Sequence, residues 1–149
     1  MECVRIYEMP PCRMAASGVG MFGDGTLERF ERWFSALPRP MFPHDYLFWD
    51  RSTPGKEGFR WLYRHEAGMN VPEEFERIDF PGGLYAVVTG VDGQSAERET
   101  QAVRDFIAAH GLEADPDREP LGNIITSPAA AKALGYHQMD YYWPVRPGR

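Results

Sequence analysis

The sequence is poor in residues that announce chemistry. It has two cysteines, Cys3 and Cys12, and four histidines, His44, His65, His110 and His137. None of these has metal-ligand spacing with another, so no metal site is predicted. His65 opens "HEAGM", but residue 69 is Met where the two-histidine protease helix requires a second His. There is no Gly-x-Ser-x-Gly elbow and no phosphate-binding glycine loop. Neither a catalytic residue nor a cofactor is predicted from these patterns. Long apolar runs are also missing, so no membrane span is expected. The opening "MECVRIYEMPP" has no basic segment followed by an apolar one, which predicts no secretory signal. On that reading both cysteines are reduced thiols in a cytoplasmic protein. Basic clusters are the last absence. Lys and Arg number 16 against 22 Asp and Glu, a formal charge of −6. Displacing counterions from phosphates requires clustered cations, so this chain alone is not expected to bind nucleic acid. Its field favours cations instead.

What is present suits a globular domain: 149 residues, 43% of them hydrophobic. The chain also repeats itself. "PPCRMAASGVG" (10–20) is echoed by "GGLYAVVTGV" (82–91), so that Ala15-Ala16-Ser17-Gly18 falls on Val87-Val88-Thr89-Gly90. After the first copy, "GDGTLERFERWFSALPRP" repeats apolar residues every three or four positions at Leu27, Phe30, Trp33, Phe34 and Leu37. This predicts a helix capped by Asp24 or Thr26 and ended by Pro38. Two aromatic strands follow, 45–50 and 58–67, joined by the turn "RSTPGKEG".

After the second copy, 95–110 reads as a helix with Ser95 as its cap and Gly111 just past its end. A strand at 119–126 comes next. A short helix at 127–135 has Ser127 as cap, Pro128 at its first position and Gly135 as stop. The last strand is 137–145. Both halves thus spell strand, helix, strand, strand. The expected fold is α+β: tandem modules of about 1–68 and 76–146 within one domain of 1–149. Their antiparallel sheet would carry helices on one face and a ligand cleft on the other.

Three motifs, in order along the chain, resemble those of the GyrI-like small-molecule-binding domains, which also serve as effector-binding domains of AraC- and MerR-type regulators. They are "EMPPCRMAASGVGMF", "FERIDFPGGLYAVVTG" and "MDYYWPV". The resemblance implies a tandem strand–helix–strand–strand fold, an architecture shared with the SOUL proteins. It also implies a cleft between the modules that takes amphipathic, often cationic, molecules, stacked on aromatics and balanced by a carboxylate. Asp140 falls on the terminal motif's acidic position, usually Glu. Phe22 falls on the aromatic after the first strand, usually Tyr. The second half, "GVDGQ", has no aromatic at the matching place, so no symmetric pair of stacking residues is expected.

Alternation refines the candidates. In the last strand, Met139, Tyr141, Trp143 and Val145 share what looks like the helix-packed face. Asp140 and Tyr142 share the other, where a carboxylate beside a phenol suits a cation near a ring. In 58–67, Phe59, Trp61, Tyr63 and His65 oppose Arg60, Leu62, Arg64 and Glu66, and either face could line a cleft. Trp61 and Tyr63 are candidate ligand walls or ordinary core. Trp49 and Tyr46 of the neighbouring strand share that ambiguity, and Glu66 is a second candidate carboxylate.

The function expected is a stand-alone binder of amphipathic or cationic aromatic compounds, as sensor or sequestering protein. One alternative is the effector-binding part of a transcription regulator, whose DNA contact would need another chain or segment, since no helix-turn-helix pattern is present. Another is a hydrolase of small electrophiles, with Glu66 or Asp140 as general base and Tyr63 or Tyr142 positioning the substrate. The reading favours binding over catalysis. A gyrase partner is implied by family analogy alone.

Overall fold

The computed structural model describes residues 3–149. Met1 and Glu2, at the start of the first sequence module, lie outside the described residues. The chain forms two compact units: Met1–Met9 with Gly83–Arg149, and Pro10–Gly82.

The Pro10–Gly82 unit contains β2 (Cys12–Ala16), α1 (Thr26–Ser35), β3 (Asp45–Asp50), β4 (Gly58–Arg64) and β5 (Glu76–Phe80). Its antiparallel strands run in the order β3-β4-β2-β5. The apolar stripe of α1 packs on this sheet, and the helix ends at Ser35, short of the Pro38 expected from the sequence, so that Leu37 joins the core from just beyond it. Phe30 is fully buried against Ala15, Tyr63, Val71 and Phe75, with Trp33, Phe34, Leu37 and Trp61 around them. The start of α1 differs from the sequence reading. The cap is Gly25, at φ 94°. A left-handed backbone there favours glycine. Glu28 Oε1 accepts from the Gly25 N–H at 2.9 Å and Oε2 from the Gly23 N–H at 3.0 Å. Asp24 works just upstream, accepting from the Met21 and Thr26 N–H groups.

The other unit contains β1 (Arg5–Met9), β6 (Gly83–Val91), α2 (Glu97–Ala109), β7 (Leu112–Ala114), β8 (Leu121–Ile124), α3 (Pro128–Leu134) and β9 (Gln138–Pro147). Its antiparallel order is β1-β6-β9-β8, with β7 pairing the far end of β9. Val103 and Ile107 of α2 pack on Ala86, Val88, Tyr141, Trp143 and Val145. The face assigned to helix packing by alternation in the last strand is the one α2 covers. Here the α2 cap is Ala96 rather than Ser95, whose Oγ lies a long 3.4 Å from the Glu97 N–H. Ser127 caps α3 by accepting from the Ala130 N–H, and Gly135 ends it at φ 86°.

The two halves of the sequence exchange their leading strands. Here β1 pairs with β6 of the second half, and β5 pairs with β2 of the first. Each unit then has four antiparallel strands side by side with a helix on one face, one strand coming from the other half of the chain, and β7 adds a fifth in the second unit. No helix among the described residues is long and apolar enough to cross a membrane.

Candidate functional site

Asp140 is only 5% exposed and projects from β9 on the face opposite α2. Register fixes its neighbours: Thr89 of β6 stands opposite on one side and Asn123 of β8 on the other. The Thr89 hydroxyl donates to Oδ1 at 2.6 Å. Arg5, on β1, reaches across β6 and donates from Nη2 to Oδ2 at 2.9 Å. The pair is lopsided, with the Arg5 side chain 54% exposed and that of Asp140 only 8%. Two residues along β9, Tyr142 is buried and hydrogen-bonded to Asn123. Burial, reinforced by the Asp140 carboxylate, pushes its phenol up to about 12. Tyr85 meets the Tyr142 ring edge-on at 6.1 Å and carries the Arg118 guanidinium 4.7 Å above its own ring. Arg118 is itself held by Asp115 and by the carbonyls of Leu84 and Val145. Asn123 is 4% exposed, and its Oδ1 has no hydrogen-bond donor. A buried amide oxygen without a donor is uncommon in a folded protein.

The structure thus joins the expected pair, Asp140 and Tyr142, and adds Arg5, Thr89, Asn123 and Tyr85. Arg5 and Asn123 lie outside the three motifs, whereas Tyr85 and Thr89 lie within "FERIDFPGGLYAVVTG" without that motif marking them for this site. Only strand register brings them to one place, although the repeat did mark Thr89 as the counterpart of Ser17. A carboxylate whose two oxygens already accept from Thr89 and Arg5 is poorly placed to abstract a proton. The Tyr142 phenol is neutral at ordinary pH. The arrangement suits charge pairing and hydrogen bonding more than acid–base chemistry.

The remaining candidates lie in the other unit. Tyr63 is 4% exposed, stacked on Phe34 at 5.1 Å and edge-on to Trp33 at 5.9 Å. It belongs to the core under α1. Trp61 shares that face, touching Phe34 at 5.3 Å and donating from Nε1 to Asp45 Oδ2 at 3.1 Å. Phe22 is 54% exposed and lies 5.4 Å from Phe59 and 5.9 Å from Trp61. Trp49 meets Phe59 edge-on at 5.1 Å. Together they form a partly exposed aromatic cluster. Burial raises the pKa of Asp45 beside Trp61, a carboxylate that sequence reasoning passed over. Tyr46 pairs with Leu62 on the opposite face of the sheet. Glu66 lies beyond the end of β4, half-exposed, 3.7 Å from His44 Nδ1. Among the described residues, no group of three His, Cys, Asp or Glu side chains could hold a metal ion.

No family model and no curated protein matches this sequence. Solved structures do match. The EcmrR C-terminal domain is similar at TM-score 0.61 and 12% identity, with 99% of each chain covered. The EcmrR chain of a DNA complex is similar at TM-score 0.64 and 11% identity, and the present chain spans 58% of its length. A hydrolase from Listeria innocua is similar at TM-score 0.67 and 12% identity, over 96% of this chain and 91% of that one. SAV2435 bound to tetraphenylphosphonium is similar at TM-score 0.56 and 8% identity, over 96% and 93%. At such identities the likeness is one of fold, and the topology agrees with the three motifs: the chain has the fold of the GyrI-like effector-binding domains.

Proposed function

We propose that this chain is a small-molecule-binding protein that takes amphipathic, cationic aromatic compounds on the sheet face bearing Asp140 and Tyr142. The observation that carries the reading is the buried Asp140 carboxylate on the face free of α2, beside the neutral Tyr142 phenol. A buried anion among aromatic rings lowers the cost of desolvating a ligand cation, and the rings add cation–π attraction. One neighbour in fold supports the reading: SAV2435, whose structure holds tetraphenylphosphonium, a lipophilic cation. The role proposed is that of a sensor or sequestering protein in the cytoplasm, with the Phe22–Trp49–Trp61 cluster as a secondary apolar surface. A second reading, the effector-binding part of a regulator, is favoured by the match to 58% of the longer EcmrR chain. The hydrolase reading is weaker, because Asp140 is already hydrogen-bonded twice and Glu66 is half-exposed beside His44.

The test is a tryptophan-fluorescence titration with 4-phenylbenzamidinium and its uncharged isostere 4-phenylbenzamide. Asp140→Asn keeps the shape and deletes the charge. It should weaken the cation by roughly 2–5 kcal/mol while leaving the amide unchanged. An effect well under about 1 kcal/mol is what an exposed carboxylate would give, and would place the site elsewhere.

A further inference from the structure

The charge of Asp140 is not vacant. Arg5 already neutralises it, yet the pair is unequal, a buried acceptor held by a half-exposed donor. The 2.9 Å bond from Nη2 engages one corner of the guanidinium, and the carboxylate's other oxygen is fixed by Thr89. Directly across the strand, Asn123 Oδ1 is buried with no donor. The floor therefore holds one carboxylate and one unfilled acceptor, while the cation above it can swing into water. A buried carboxylate is costly to leave unpaired, so Arg5 leaves only as another cation arrives, and an incoming group that satisfies both acceptors recovers more than Arg5 provides.

We infer that Arg5 is a resident counter-ion that the ligand displaces, and that the displacing group is a cation with N–H donors, of the amidinium or protonated-amine class, rather than a phosphonium or quaternary ammonium. The inference rests on the small-molecule reading above. Geometry gives the reason for the class. A cation without N–H groups could balance Asp140 but would leave Asn123 Oδ1 buried and unpaired. A planar amidinium has donors to reach both, as the guanidinium it replaces has for Asp140.

Arg5→Gln removes the competitor, while the backbone of β1 keeps its pairing with β6. It should tighten 4-phenylbenzamidinium by about 5-fold, the worth of a partly exposed ion pair. The same change should leave 4-phenylbenzamide unaltered, and Arg5→Lys, which keeps the charge, should stay near the wild type. Tetraphenylphosphonium should bind the wild type more weakly than the amidinium does, and Asn123→Leu should weaken the amidinium while leaving that weaker phosphonium binding unchanged. Circular dichroism of each variant confirms its fold, and Arg5→Ala, which also removes the competing charge, should give the same tightening if Arg5→Gln does not fold. If the wild type binds the amidinium but Arg5→Gln leaves it unchanged or weakens it, displacement is wrong. If Asn123→Leu weakens both cations equally, or neither, the N–H requirement is wrong. If neither cation binds any variant, the small-molecule reading falls and takes this inference with it.

Discussion

Tyr142 illustrates how one residue reports the polarity of its surroundings. An unfolded tyrosine titrates near pH 10, whereas here burial and Asp140 push the phenol up to about 12. Between those values the unfolded chain has lost the proton that the folded chain keeps. The stabilisation is therefore full below about pH 10 and is lost as pH rises through about 12. A shift of that size corresponds to roughly 2–3 kcal/mol. Urea unfolding from pH 9 to 12 should show stability falling more steeply in the wild type than in Tyr142→Phe, which has nothing to ionise. Parallel curves would mean that the phenol is solvated. Tyr63 and Tyr85 are also raised by burial, so the comparison must be between variants and not with a model tyrosine.

Helix α1 depends on its entry as much as on its packed stripe. Gly25 at φ 94° lets the chain turn so that Glu28 can reach back to two N–H groups ahead of the helix. A side chain there meets the steric cost of left-handed backbone, and Gly25→Ala should lower stability by about 1–2 kcal/mol. Thermal unfolding measures it, and an unchanged midpoint would show that the turn tolerates a Cβ. Caps illustrate the limits of local reading. Ser127, Pro128 and Gly135 frame α3 as their sequence predicts, because each acts within one turn of the helix. The sequence offers Asp24 or Thr26 as the cap of α1, but the cap is Gly25, because a polar side chain and a left-handed glycine can both begin a helix and the backbone conformation decides between them. Strand β7 escaped notice because "LEA" is too short to alternate. It exists through pairing with β9, 31 to 35 residues further on.

Across the whole molecule, charge and duplication set the expectations. With a formal charge of −6 and no recognition-helix pattern, the isolated protein should not retain duplex DNA at physiological salt. Fluorescence anisotropy with labelled duplexes tests this, and sequence-selective binding at 150 mM salt would overturn it. The repeated segments differ in chemistry. At the repeat's matched positions, the Ser17 hydroxyl accepts from the backbone N–H of Trp61, whereas the Thr89 hydroxyl donates to a carboxylate. One copy has spent its polar position on holding a strand, and the other on holding Asp140.

By itself the sequence determined what is local or periodic: the order of strands and helices in each half, the amphipathic face of α1, and the common side of Asp140 and Tyr142 on the last strand. Alternation says which side chains share a face. It cannot say which face a helix will cover, and so Trp61 and Tyr63 stayed ambiguous until α1 was seen packed on their side. The tertiary structure alone decided the exchange of β1 and β5. It alone set Arg5, 135 residues away in the chain, against Asp140, and left Asn123 buried beside them. These follow from strand order and register. A pairing shifted by one residue would turn the same side chains to the opposite face.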